Sequence, residues 1–281
     1  MDQRRIGTRT VGAIGLGAMP MSVRADNDEQ RGIATIHQAL DLGVTLIDTA
    51  DTYSFDEATF GHNERLVARA LREYGGSADV LVATKGGHTR RGTDWELDGS
   101  PAYLRSSCLG SLERLGVERI DLYQHHRPDP AVPYEETIGG LKALLDEGLI
   151  AAAGLSNADP DQIRLAHGIL GDGLVAVQNQ LSPNYRSSMP EVELCASLGI
   201  AFLAWSPLGG MSEAAGLAGP FAVVAEKHGV SPQQVALAWE LSLSEVVIPI
   251  PGASRPESVS DSVRAASLTL DEDDLQLLAQ P

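Results

Sequence analysis

Short apolar runs rich in β-branched residues alternate along this chain with longer segments whose apolar positions recur every three to four residues. The runs predict strands at Ala13–Leu16, Thr45–Asp48, Val80–Thr84, Leu122–His126, Ile150–Leu155, Ala176–Gln180, Ala201–Trp205 and Val246–Pro249. The helical periodicity predicts helices at Glu29–Leu42, Asn63–Leu71, Pro101–Leu115, Tyr134–Glu147, Pro160–Leu170, Pro190–Leu198 and Ser231–Leu243, with Pro256–Ala266 after the last strand. Ser100-Pro101, Asp159-Pro160 and Ser231-Pro232 each set a capping residue before a first-turn proline. Gly43, Gly116, Gly148 and Gly199 follow helices where a left-handed residue closes the last turn.

Strict β–α alternation calls for a parallel sheet, and eight such units call for a closed (β/α)8 TIM barrel over an open doubly wound sheet. No linker or low-complexity tract divides the chain, so residues 1–281 are expected to form a single barrel domain. Thr8–Val11 is expected in a short N-terminal hairpin that plugs the bottom of the barrel. Arg90–Gly99 and Ala214–Pro220 are expected as loops.

Charge narrows the partners. Lys and Arg number 21 against 38 Asp and Glu, a formal net charge of −17. Such a surface repels nucleic acid and anionic membrane, and an anionic ligand would need a local cationic or helix-terminus site. Cys108 and Cys195 fall in apolar helical stretches and are expected as buried reduced thiols. The first residues carry no apolar signal segment and nothing approaches a membrane span, so a cytoplasmic location is expected.

In a barrel of this kind the active site lies at the C-terminal ends of the strands. Polar residues collect there: Asp48 and then Tyr53 after strand two, Lys85 after strand three, His125-His126 at strand four, Ser156-Asn157 after strand five, Gln178 on strand six and Trp205-Ser206 after strand seven. They suit carbonyl reduction, in which hydride delivery must be matched by a proton. Tyr53 can donate it if a neighbouring ammonium, Lys85, lowers its pKa from ~10 toward neutrality. The buried ammonium needs a counter-ion, and Asp48 is the natural one. A neutral imidazole can orient the carbonyl oxygen. Side chains alternate along a strand, so His125 and His126 diverge and only one faces the barrel mouth. The same divergence argues against a metal site, and no third ligand at metal spacing appears. His37, His62, His88, His167 and His228 are expected to be surface or structural residues.

These residues lie in motifs that resemble the aldo-keto reductase superfamily over nearly the whole chain. Gly15-Leu16-Gly17-Ala18-Met19 resembles its first-strand motif, and the run from Gly43 through Asp48 to Tyr53 resembles its Asp/Tyr signature. Thr84-Lys85-Gly86-Gly87 resembles the lysine motif, and Asp121 to Asp129 the histidine motif, with His126 matching the catalytic histidine. The resemblance implies an NADPH-dependent oxidoreductase, NADH being the possible substitute, that interconverts a small aldehyde or ketone and its alcohol without metal. It implies Tyr53 as the acid, Lys85 and Asp48 as its tuners, and His126 as the orienting group. Ser156, Asn157 and Gln178 would bond the nicotinamide carboxamide, and Trp205 would stack on the ring. Ser206, Pro207, Leu208 and Gly209 would hold the pyrophosphate. Gly17 would border the cofactor, and Gly252, Ser254, Arg255 and Ser258 would take the adenosine phosphate. Ser258 and Ser262 stand where many members have Gln and Asn. The long tail that covers the substrate in many members is missing, which implies an open pocket. A regulatory protein that holds NADPH on the same fold with little turnover is the alternative reading.

Overall fold

The computed structural model describes residues 2–75, 79–210 and 217–279. The chain opens with an antiparallel hairpin, β1 (Gln3–Ile6) and β2 (Arg9–Gly12). Then follow β3 (Leu16–Gly17), α1 (Glu29–Asp41), β4 (Leu46–Asp48), α2 (His62–Tyr74) and β5 (Leu81–Gly86). A second hairpin, β6 (His88–Arg91) and β7 (Asp94–Leu97), precedes α3 (Pro101–Leu115), β8 (Leu122–His125), α4 (Tyr134–Asp146) and β9 (Ala153–Ser156). The remainder is α5 (Pro160–Leu170), β10 (Leu174–Gln180), α6 (Met189–Leu198), β11 (Ala201–Trp205), α7 (Pro220–His228), α8 (Pro232–Leu243), β12 (Val247–Pro249), α9 (Pro256–Arg264) and α10 (Glu272–Leu278).

Eight strands pair in parallel in the order β3-β4-β5-β8-β9-β10-β11-β12. The ends meet: Gly15 N donates to Pro249 O at 2.9 Å, and Gly17 N to Pro251 O at 3.0 Å, beside a parallel bridge between Gly17 and Gly252. The fold is a (β/α)8 barrel with the helices outside. Gly17 is what this seam requires, since a Cβ there would lie 2.9 Å from the carbonyl oxygen of Ile250.

The barrel interior is filled by Leu46, Leu81, Leu122, Leu203 and Ile248, and Ile6 and Val11 of the first hairpin pack into the same cluster. The hairpin therefore plugs the bottom of the barrel with its two inward apolar side chains. Two larger clusters, one around Leu104, Leu141 and Phe202 and one around Ile36, Ile47 and Val67, glue the helices to the outside of the sheet. The expected caps are in place: the side chains of Ser100, Asp159 and Ser231 accept from first-turn amides of α3, α5 and α8. Gly43, Gly116, Gly148 and Gly199 all have positive φ.

Three expectations are corrected. The first barrel strand is Leu16–Gly17 and not Ala13–Leu16, because residues 13–15 run from the hairpin to the seam, Ala13 N bonding Asp2 O. The stretch read as a loop at 90–99 forms most of the β6–β7 hairpin, whose turn is Gly92 at φ +60°. Pro220 starts helix α7, which the periodicity did not separate from its Gly/Ala-rich surroundings; residues 214–216 of that expected loop lie outside the described residues.

Candidate active site

At the C-terminal mouth of the barrel, the ends of β4, β5 and β8 build a buried polar cluster. Lys85 Nζ donates to Asp48 Oδ2 at 2.6 Å, to Thr49 O at 2.9 Å and to Tyr53 OH at 3.1 Å. Lys85 is 0 % exposed, Asp48 2 % and Tyr53 8 %. The second carboxylate oxygen of Asp48 accepts from Gln178 Nε2 at 2.7 Å and from Gln124 Nε2 at 3.3 Å. Every charge in the cluster is thus paired and hydrogen-bonded, as burial demands.

The loop after β4 presents Tyr53 and is tied on all sides. Asp51 N donates to Lys85 O and Gly61 N to Asp51 O. Ser107 Oγ donates to Asp51 Oδ2 at 2.5 Å, and Thr49 Oγ1 to Asn63 Oδ1 at 2.6 Å. Burial, and then the nearby Glu64, push the Asp51 carboxyl up to about 8, so it stays neutral at physiological pH. Arg90 of β6 donates to Thr52 O and Ser54 O on either side of Tyr53.

The electrostatics correct one expectation. Burial raises the Tyr53 phenol above its ordinary value, and the opposing field of Lys85 offsets this only in part. Tyr53 is therefore held as a neutral phenol with its proton in place. For Lys85, burial acts downward, but Asp48 and Tyr53 outweigh it and raise the ammonium's pKa. Burial, then Lys85, hold His126 well below the ordinary histidine range, so its imidazole is neutral.

The cluster floors a cavity of about 810 Å³ that runs across the strand ends. Asp48, Tyr53, His126, Ser156, Asn157, Gln178, Trp205, Ser206, Pro207 and Leu208 line it, as do Gly17, Gly252, Ser254, Arg255 and Ser258. Lys85 lies beneath the wall. Gly209 is not at the wall: its N–H closes a turn onto Ser206 O, and Gly210 takes the lining position. Alternation separates the histidines: His126 sits edge-on to Tyr53 at 5.6 Å, whereas His125 packs outside the barrel against Tyr134 at 5.8 Å. The Gln178 amide nitrogen is committed to Asp48 and Gln124, which leaves its carbonyl to accept from a ligand.

The walls suit an elongated anionic cofactor. Arg255 is the N-cap residue of α9, where its guanidinium joins the unpaired amides of a helix start. Arg31 and Arg127 add further cations to the lining, while Arg24 is paired there with Asp26 at 2.8 Å and Asp28 lies on the same stretch of wall. Asn157 and Ser206, at the ends of β9 and β11, hold φ of +58° and +49°, the backbone strain expected where strand ends turn sharply at a binding site.

Sequence reading missed part of this wall. His88 and Trp95 of the β6–β7 hairpin, with Met19, Pro20 and Arg127, also line the cavity. His88, three residues after Lys85, is expected from the sequence to be a surface or structural histidine because the polar stretch after it reads as a loop; its place in the cavity wall corrects that.

The Aldo/keto reductase family pattern matches residues 13–280. A probable aldo-keto reductase of Glycine max is 38% identical, over 97% of this chain and 86% of its own length. The structure of a glycerol dehydrogenase from Gluconobacter oxydans superposes with a TM-score of 0.85 at 29% identity, over 99% of this chain and 94% of that one. An aldo/keto reductase from Klebsiella pneumoniae, solved with NADP and acetate, superposes with a TM-score of 0.82 at 26% identity, over 98% and 93% of the two chains. Barrel, mouth and cluster define a TIM-barrel oxidoreductase. The chain belongs to the aldo/keto reductase family.

No described helix is long and apolar enough to cross a membrane. Among the described residues, no group of three or more His, Cys, Asp or Glu could hold a metal ion.

Proposed function

We propose that this enzyme reduces a small aldehyde or ketone with NADPH, or runs the reverse oxidation, with Tyr53 as the proton donor. The observation that carries this reading is the buried Asp48–Lys85–Tyr53 chain, which ends in a phenol at the floor of the cavity. NADPH, when bound, supplies the hydride. Tyr53 gives its proton to the carbonyl oxygen, and the positive charge of Lys85 at 3.1 Å stabilises the phenolate left behind. Asp48 balances that charge. His126, neutral, donates a hydrogen bond that fixes the carbonyl oxygen. Ser156, Asn157 and the carbonyl of Gln178, which line the cavity, would hold the carboxamide, and Trp205 would pack against the nicotinamide. The turn from Ser206 to Gly210 takes the pyrophosphate. Gly252, Ser254, Arg255 and Ser258 take the adenosine phosphate. Steady-state turnover of an aldehyde and ketone panel, followed by NADPH oxidation, tests the reading; tight NADPH binding with no turnover on any carbonyl would favour a regulatory protein instead.

Two further outcomes are expected. Arg255→Ala should weaken NADPH binding by about tenfold while changing NADH little, because a charge-assisted contact to the 2′-phosphate is lost. Fluorescence titration with both cofactors checks this, and equal weakening would remove Arg255 from the phosphate site. His126→Ala should cut kcat/KM by at least about a hundredfold. His125→Ala, outside the barrel, should instead cost about 1–3 kcal/mol of stability with kcat/KM nearly unchanged. Paired kinetics and thermal melts separate the two histidines.

A further inference from the structure

The β6–β7 hairpin sets a second imidazole beside the first. His88 lies in β6 with its ring centroid 4.4 Å from that of His126. His126 is thus flanked by His88 on one contact and by Tyr53, at 5.6 Å, on another. Both ring nitrogens of His88 are removed from solvent and have no hydrogen-bond partner in the fold. Buried polar atoms are paired almost without exception, and one at a binding cavity calls for an explanation. His88 lines the cavity together with Tyr53, His126, Trp95 and Arg127.

The hairpin that carries the ring is also held in place. Trp95 stands edge-on to it at 5.5 Å, and the guanidinium of Arg90 stacks on Trp95 at 3.5 Å. Arg90 in turn donates to Thr52 O, Ser54 O and Thr93 O, so it ties the hairpin to the loop that carries Tyr53. Gly92 N donates to Glu57 Oε2, and Glu57 N to Gly92 O, pinning the hairpin tip as well. The backbone of His88 is thereby fixed beside the reacting group, and rotation of its ring about the soft Cβ–Cγ torsion turns a nitrogen into the cavity to meet a substrate.

We propose that His88 is a specificity-determining residue that hydrogen-bonds a hydroxyl on the carbon next to the reacting carbonyl, so that the preferred substrates are α-hydroxy aldehydes or ketones and the products vicinal diols. This rests on the assignment of Tyr53 and His126 above. Oxygens on adjacent carbons lie about one hydrogen-bond length apart, a spacing that two neighbouring imidazoles can match, one to each oxygen. Burial, and then Arg127 and Arg90, hold His88 down to about 4, so at neutral pH it offers one N–H donor and one acceptor nitrogen. A hydroxyl can answer either one, whereas a carboxylate can only accept. In the reduction the carbonyl carbon gains hydride from NADPH and its oxygen gains the Tyr53 proton. The C=O π bond becomes C–O–H, NADP⁺ remains, and the neighbouring hydroxyl is unchanged.

The test compares kcat/KM for butan-2-one and 3-hydroxybutan-2-one with NADPH in the wild type, His88→Phe and His88→Gln. The wild type should prefer the hydroxyketone. In His88→Phe, which keeps a ring but no nitrogen, the hydroxyketone-to-ketone ratio should fall by about tenfold, the cost of one buried hydrogen bond. His88→Gln, which can still donate and accept, should keep most of the preference. His88→Leu carries the comparison should His88→Phe fail to fold by circular dichroism. If both ketones lose the same factor, or the ratio does not move, the proposal is overturned. It is equally overturned if 2-oxobutanoate is preferred to the hydroxyketone and depends on His88 in the same way. A wild type that reduces neither ketone nor any simple aldehyde overturns the active-site reading, and this inference with it.

Discussion

Tyr53→Phe should lose reduction by roughly 10²–10⁴-fold, or further, while it folds and binds NADPH as the wild type does. The substitution removes one oxygen and keeps the ring that packs edge-on to His126. In the fold that oxygen accepts from Lys85, and Lys85 retains Asp48 and the carbonyl of Thr49 when it is gone. No buried charge is orphaned, so the thermal midpoint should move little. The pH profile provides a second check. Burial raises the Tyr53 pKa and Lys85 only partly offsets it. The proton-loaded form therefore persists through neutral pH and is lost only as pH rises past the phenol's raised value. Wild-type reduction should accordingly stay level from neutrality into the alkaline range and fall beyond the ordinary tyrosine value of ~10. That alkaline limb should be absent from the residual activity of Tyr53→Phe. Near-full kcat on a normally reduced aldehyde would refute Tyr53 as the acid.

Lys85→Met should cripple turnover and destabilise the fold together. Turnover falls because the Tyr53 phenolate formed on proton transfer loses its neighbouring positive charge. Stability falls because Asp48, 2 % exposed, keeps a carboxylate in the interior with only the amides of Gln124 and Gln178 as donors. Removing one partner of a buried pair costs about 3–5 kcal/mol, on the order of 10 °C in Tm for a chain of this size. Adding Asp48→Asn should recover a good part of that loss without restoring kcat, since the charge imbalance is relieved but the ammonium is still missing. A Tyr53→Phe/Lys85→Met double variant should be little slower than the worse single one, as groups that act as a unit are not additive. Calorimetry and single-turnover kinetics on the three variants separate the two effects. A stable, active Lys85→Met protein would dissolve the proposed unit.

Much of this architecture was legible before folding. The eight apolar runs and the helices between them needed only the periods of strand and helix. The capping residues Ser100, Asp159 and Ser231 are local signals, and they are read within a few residues of where they act. Alternation along β8 set His125 apart from His126, because a strand's side chains must point to opposite faces. The placement of Asp48, Tyr53, Lys85 and His126 at successive strand ends follows from the chain order of a barrel.

What folding alone decided is how groups distant in sequence meet. Gln178 lies 130 residues from Asp48, yet its amide nitrogen donates to that carboxylate, which no local pattern could announce. The net direction of the Tyr53 pKa depends on burial outweighing an ammonium 32 positions away, and burial is a property of the packed barrel mouth. The β6–β7 hairpin escaped because its strands are four residues each, β6 is wholly polar, the Trp95/Leu97 alternation of β7 is too short to stand out, and contacts to the Tyr53 loop stabilise both. His88 in isolation is one more histidine in a polar stretch. Only the hairpin's docking over the strand ends brings its ring to 4.4 Å from His126. Periodicity therefore determined the barrel and the strand ends that carry the polar residues. Which atoms converge there, and with what charge, was settled by tertiary packing, because desolvation and hydrogen bonding act across space and not along the chain.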